Sequence, residues 1–149
     1  MTIQQANQYF AALPDGFADP AQLGVLLPAS VQQVQFVGVA GTAGKTAVAR
    51  LLAAILHAQE IRAGVYHAGC EPLAARIRVD GKPVDEALLC RAADALAAHE
   101  ELPLQAAELV AAAYCFGEAG CTLAVVELSD AGLAEVLLQM TVCAGTSVG

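Results

Sequence analysis

Short apolar runs and helix-like spacings alternate along this chain. Near-continuous or alternating apolar runs predict strands at 34–39, 63–67, 76–79, 122–127 and 141–144. Apolar residues three or four positions apart predict helices at 2–12, 45–59, 84–99, 103–116 and 131–139, with a short helix between Asp19 and Pro28. Because strands alternate with helices, we expect an α/β fold with a mostly parallel, doubly wound sheet and helices on both faces.

Length and composition indicate one folded domain. The chain has 149 residues, of which 57% are hydrophobic and 15% charged, a balance that excludes a disordered polypeptide. We therefore expect residues 1–149 to form a single domain, with residues 1–30 as an N-terminal helical segment.

The distribution of charged and polar residues limits the classes of partner that the chain is expected to bind. A formal net charge of −8 without any cluster of Lys or Arg argues against a nucleic-acid partner. The longest uncharged stretch, 20–44, is interrupted by polar residues, so no membrane span is expected. The five cysteines are widely spread without a Cys-x-x-Cys pair, and the first ten residues, MTIQQANQYF, lack the basic and apolar regions expected of a signal peptide. Reduced thiols and a cytoplasmic protein are the expectation.

A glycine-rich turn between a predicted strand and a predicted helix is the main candidate site. Its residues are Gly41, Thr42, Ala43, Gly44, Lys45 and Thr46. Glycines let the backbone wrap closely around phosphate oxygens, and the first turn of the helix directs unpaired N–H groups to the same point. Lys45 adds a positive charge and the Thr46 hydroxyl can bind Mg²⁺, so this turn predicts a P-loop for ATP. The alternative is that the glycines only turn the chain, since Val39 stands where the first P-loop glycine belongs.

Glu127 is the candidate second half of this site. It closes a predicted parallel strand, where its carboxylate would face the phosphate loop and hold Mg²⁺ directly or through water. The alternative, left open here, is an ordinary strand-end carboxylate exposed to solvent.

These motifs, taken in order, resemble folylpolyglutamate synthase/dihydrofolate synthase of the Mur-ligase superfamily. The segment VGVAGTAGKT resembles the family's H-V-A-G-T-N-G-K-G loop, and ARIRVDGKPV resembles E-R-I-R-I-N-G-x-x-I. LQAAELVAAAYCF resembles L-T-F-F-E-F-L-T-A-x-A-F, which sets Glu108 on the family's acid. TLAVVELSDAGLAE falls on V-x-V-x-E-V-G-L-G-G-R-L-D, which sets Glu127 on the metal-ligand Glu. The resemblance implies a truncated ATPase domain that binds ATP and Mg²⁺ for carboxylate–amine ligation.

The chain also departs from that family. The family's Ser-Pro-His segment is replaced by Ala68, Gly69 and Cys70, so a metal-binding Ser hydroxyl is missing. The resemblance implies that an Asp-His metal position and a C-terminal ligase domain lie beyond Gly149. We therefore expect the chain alone to be inactive as a ligase, with Lys45 as its candidate catalytic residue. It would then be a nucleotide-binding domain that needs a ligase-domain partner. The alternative is a degenerate P-loop scaffold that acts in protein association, as a homo-oligomer or otherwise.

Overall fold

The computed structural model describes residues 1–15, 28–39, 45–69, 71–98 and 102–128. The predicted elements at 131–139 and 141–144 lie outside the described residues. So does the predicted short helix after Asp19, apart from Pro28.

Helices and strands of the described chain follow the sequence pattern closely. The helices are α1 (Ile3–Ala11), α2 (Lys45–Ala58), α3 (Leu73–Arg76), α4 (Glu86–Ala97) and α5 (Leu104–Glu118), with a 3-10 helix at Ala29–Gln33. The strands are β1 (Gln35–Val39), β2 (Ala63–Tyr66), β3 (Ile77–Val79), β4 (Lys82–Pro83) and β5 (Leu123–Glu127). The predicted helices and strands within these ranges are confirmed to within a few residues at each end. The 3-10 helix, α3 and β4 were not predicted.

The five strands form one sheet in the order β1-β5-β2-β3-β4. β5 runs parallel to both of its neighbours, β1 and β2. β3 is antiparallel to β2, and β4 is antiparallel to β3. The prediction of a mostly parallel sheet therefore needs correction, because one side of the described sheet is an antiparallel meander.

The antiparallel pairing of β2 with β3 follows from the short connection between these two strands. Ten residues separate Tyr66 from Ile77, fewer than the dozen or more that a parallel crossover connection needs. The next connection is tighter still, because Asp80 (φ 52°) and Gly81 (φ 82°) form the turn between β3 and β4. Two successive residues with positive φ are typical of the type I′ hairpin turn, which Asp-Gly favours.

Helices cover both faces of the sheet. On one face, Ala49 of α2 packs with Val65 of β2 and Val125 of β5 in a small apolar cluster. On the other face, Phe36, Ala124 and neighbouring side chains join the large core formed with α1, α4 and α5. Since successive strand residues point to opposite faces, Glu127 shares the α2 face with Val125.

Candidate functional site

The most deeply buried acid of the described chain lies at the end of a central strand. Glu127 closes β5, is 1% exposed, and pairs in register with Val39, the last residue of β1. Burial on this scale requires compensating contacts, because an isolated carboxylate is costly to remove from water. The solvent-exposed alternative for Glu127 is therefore wrong.

Two donors from the segment after β2 hold the Glu127 carboxylate. The His67 ring nitrogen Nδ1 lies 2.9 Å from Oε1, and the backbone N–H of Ala68 donates to Oε2 at 3.0 Å. The His67 side chain is 16% exposed.

The predicted phosphate loop is fixed at both ends by the fold. β1 ends at Val39 beside Glu127, and the backbone of α2 begins at Lys45. Gly41, Thr42, Ala43 and Gly44 lie outside the described residues, as do the side chains of Lys45 and Thr46. The topology thus sets the start of α2 at the same sheet edge as the Glu127 carboxylate, since five residues join β1 to α2.

A second buried acid lies on the opposite face of the sheet. Glu108 of α5 forms an ion pair with Arg76, whose guanidinium donates to both carboxylate oxygens. The Tyr66 hydroxyl donates to Glu108 Oε1 at 3.0 Å and accepts from Arg76 at 3.3 Å. Burial alone would lower the pKa of Arg76, but hydrogen bonding and charge from Glu108 outweigh it and raise that pKa. Burial, reinforced by Glu108, raises the pKa of Tyr66, so this cluster stays a charged pair bridged by a neutral phenol.

Two cavities are lined by residues of the segment between β2 and β3. The first, of about 350 Å³, lies between α2 and the β2–β3 strands and is lined by His67, Arg50 and Arg78 among others. The second, of about 530 Å³, lies between α1, α3 and α5 and is lined by Phe10, Leu104 and Glu108 among others. The walls of both include Ala68, Glu71 and Arg76. Both volumes fall within the range of small-molecule sites.

Sequence reasoning undervalued two residues of this region. His67 ends the predicted strand 63–67, and no pattern in the sequence placed it beside Glu127, although it directly follows β2 and thus lies at the same sheet edge. Arg76 was predicted as the first residue of the strand 76–79, whereas it ends α3 and its side chain is only 8% exposed. The available signal for Arg76 was Glu108, a lone acid in the middle of a helix of mainly apolar residues, since such an acid needs a partner when it is buried.

The described residues contain no group of three or more His, Cys, Asp or Glu side chains that could hold a metal ion. No helix within the described ranges is long and apolar enough to cross a membrane.

Comparison with known proteins identifies relatives by structure. The chain matches no protein-family model and no curated protein sequence. It is similar to folylpolyglutamate synthetase from Lactobacillus casei, with a TM-score of 0.74 and 23% identity over 89% of this chain and 37% of that one. It is also similar to E. coli FolC in complex with DHPP and ADP (TM-score 0.69, 25% identity, 87% of this chain, 33% of that one). A complex of FPGS with AMPPCP and folate gives a TM-score of 0.73 and 25% identity over 87% of this chain and 35% of that one.

These similarities confirm the resemblance to folylpolyglutamate synthase as a likeness of fold. The chain spans about a third of the length of the solved proteins that it matches.

Proposed function

We propose that this chain is the ATP- and Mg²⁺-binding part of an ATP-dependent carboxylate–amine ligase of the folylpolyglutamate synthase type. The buried Glu127 carries the proposal, because its strand lies in register with the strand that leads into the Gly-Lys-Thr loop. The loop Gly41–Gly44 and Lys45 would hold the phosphates, and Thr46 with Glu127 would hold the metal. The fold likeness to proteins solved with ADP or the ATP analogue AMPPCP supports the same assignment.

The residues present fit a hard divalent cation. Glu127 offers a fixed carboxylate, and Mg²⁺ commonly takes one or two carboxylates together with phosphate and water oxygens. When bound, Mg²⁺ would neutralise charge on the phosphates. The chain's own contribution is orientation, since the Ala68 N–H and His67 keep the carboxylate aimed from a buried position.

The proposal also includes the bounds of the domain and its cellular compartment. Residues 1–149 would form one nucleotide-binding unit, with 1–30 as its N-terminal helical segment. Ligation would need a further ligase domain, in the same chain or a partner. A cytoplasmic setting is consistent with the three described cysteines, Cys90, Cys115 and Cys121, which are buried free thiols.

Calorimetry with ADP and AMPPCP, each with and without Mg²⁺, tests the proposal. Lys45→Ala should weaken nucleotide binding about 10- to 100-fold, the loss expected for a charge-assisted contact. Glu127→Gln should weaken binding only when Mg²⁺ is present. The matched control is Lys82→Ala, which removes the chain's other lysine from the exposed β4 and should change nothing. Absence of binding at millimolar nucleotide would refute the proposal.

A second candidate function, association through α2, is favoured by one observation. Val48, Leu51 and Ile55 form a stripe along α2 and are 47%, 62% and 44% exposed. Spacings of three and four put them on one helix face, where a second copy of the chain could cover them. Such self-association corresponds to the alternative given above, a degenerate P-loop scaffold that acts in protein association.

Sedimentation velocity over a range of concentrations distinguishes the two candidates. Self-association that Leu51→Glu abolishes would support the scaffold. Gln8→Glu introduces the same charge on the exposed side of α1 and is the control. A monomer at every concentration that still binds nucleotide would eliminate association as the function.

A further inference from the structure

The cavity beside α2 has an apolar floor made of small side chains. Ala63 and Val65 of β2 are buried, and Ala53 of α2 packs on the apolar cluster that contains Val65. Because these side chains are short, they leave a cavity of about 350 Å³ between the helix and the strands. That volume suits a small organic molecule.

Three of the five arginines in the chain line this one cavity, although the chain has a formal net charge of −8. Arg76 forms its ion pair with Glu108, as described above. Arg50 and Arg78 form no ion pair with any acid of the described chain. Two guanidinium groups without a counter-charge therefore border a cavity with an apolar floor.

The strand β3 presents Arg78 to the cavity from the α2 face of the sheet. Arg78 pairs in register with Val65, whose side chain lies on that face, whereas the adjacent Ile77 belongs to the core on the other face. The Arg78 guanidinium donates from Nη2 to the carbonyl of Gly81 at 2.9 Å. A guanidinium has five N–H groups, so this contact uses only a part of its capacity.

The helix α2 supplies the second arginine. Arg50, Ala53 and His57 line the cavity, and their spacings of three and four residues put them on one face of the helix. The lining also includes two acids, Glu71 and Asp80. Asp80 contacts the His57 ring nitrogen Nδ1 at 3.1 Å, and neither acid pairs with Arg50 within the described ranges. The arginine of the helix is thus left to meet an anion from solvent.

We propose that the cavity beside α2 binds a small organic anion, whose carboxylate or phosphate group is held by Arg50 and Arg78. The apolar part of this anion would rest on the alanine and valine side chains of the floor. Guanidinium groups bind both kinds of oxyanion through paired N–H donors, so the recognition chemistry is the same for the two. The inference is independent of the proposed function, which assigns nucleotide phosphates to the loop 41–46.

NMR titration of the ¹⁵N-labelled native chain tests the proposal with two probes, benzoate and phenyl phosphate. We expect both to shift the backbone amide signals of Ala63, Val65 and Gly81. Both should bind at least about tenfold more tightly than benzyl alcohol, which lacks the charge that the arginines bind. Inorganic phosphate, which lacks the apolar part, should bind more weakly than phenyl phosphate. The tighter of the two aromatic anions identifies the preferred acidic group.

Four variants separate the contributions of charge and space. Arg78→Gln should weaken binding of the aromatic anions about tenfold. Arg50→Gln should weaken it about threefold, because this side chain is exposed and solvent screens its charge. Ala53→Leu fills the cavity without removing a charge and should also weaken binding. Arg91→Gln removes the same charge from the exposed side of α4, outside the cavity, and should change nothing.

A further variant guards against misfolding. Arg78→Lys keeps the positive charge but loses the paired donors, so it should weaken binding less than Arg78→Gln does. Its circular dichroism spectrum should match that of the native chain.

Three outcomes would overturn the inference. The first is the absence of amide shifts with either aromatic anion at millimolar concentration. The second is binding that neither Arg78→Gln nor Ala53→Leu weakens. The third is a set of shifts confined to residues 41–46 and lost in Lys45→Ala, which would assign the anion to the predicted phosphate loop instead. Calorimetry with ADP and AMPPCP tests the nucleotide proposal separately, so the failure of one proposal is distinguishable from the failure of the other.

Discussion

Breaking the buried ion pair between Arg76 and Glu108 should be among the most destabilising single changes in the described chain. Their side chains are 8% and 13% exposed, and the Tyr66 hydroxyl bonds to both. Glu108→Gln keeps the shape of the side chain but leaves a buried guanidinium without its counter-charge. Removing one partner of a buried pair costs about 3–5 kcal/mol. For a chain of this length that corresponds to a fall in Tm of about 6–20 °C.

Urea unfolding followed by circular dichroism at 222 nm measures the effect. The decisive comparison is the double variant Arg76→Met/Glu108→Leu, made in a Tyr66→Phe background so that no hydroxyl loses its partners. An apolar replacement of both charges should recover most of the loss, because neither ion is then left buried alone. Asp94→Asn, which breaks the exposed pair with the N-terminal amine, should cost much less than Glu108→Gln, because solvent screens that pair. A loss below about 1 kcal/mol in Glu108→Gln would show that the pair is solvated, contrary to the burial on which the argument depends.

Four further predictions concern the core and the first helix. Gly64→Ala should destabilise by about 1–3 kcal/mol in urea unfolding, because a Cβ there would overlap the Phe116 ring. Cys115 and Cys121 should resist iodoacetamide at pH 8, as judged by peptide mass mapping, because burial raises the pKa of these thiols to about 12 and about 11. Because the pKa of both thiols is raised from the ordinary value of 9.0, the folded chain keeps thiol protons that the unfolded chain loses above pH 9. The free energy of unfolding should therefore fall between pH 9 and pH 11, and it should fall less in the double variant Cys115→Ala/Cys121→Ala. Thr2→Ala should cost about 1 kcal/mol and lower Tm, because it removes the capping box of α1.

Elements with a strong local signal could be predicted from the sequence. α2 was predicted at 45–59 and spans Lys45–Ala58, because an apolar face of helical period decides both the type and the extent of such an element. Whether neighbouring strands run parallel or antiparallel was harder to predict, because the spacing of apolar residues is the same in both cases. The short connection before β3 and the Asp80–Gly81 turn carried that information, and only their combination predicts an antiparallel meander.

The candidate site could be predicted only in part. Glu127 was chosen because it ends an apolar strand, and its burial agrees with that choice. The contact with His67 joins residues 60 positions apart, and no local pattern specifies it. The loop 41–44 stays a prediction from sequence, supported by the position of its two ends.

The two buried glutamates show why burial alone does not identify a functional acid. Glu108 faces a guanidinium that neutralises it, and its described contacts are complete as a structural unit. The described contacts of Glu127 include the His67 imidazole and the Ala68 backbone N–H, which orient the carboxylate at the end of β5, beside the strand that leads into the predicted phosphate loop. Substitution by Gln should therefore affect different properties, with Glu108→Gln lowering stability and Glu127→Gln lowering metal-dependent binding of nucleotide.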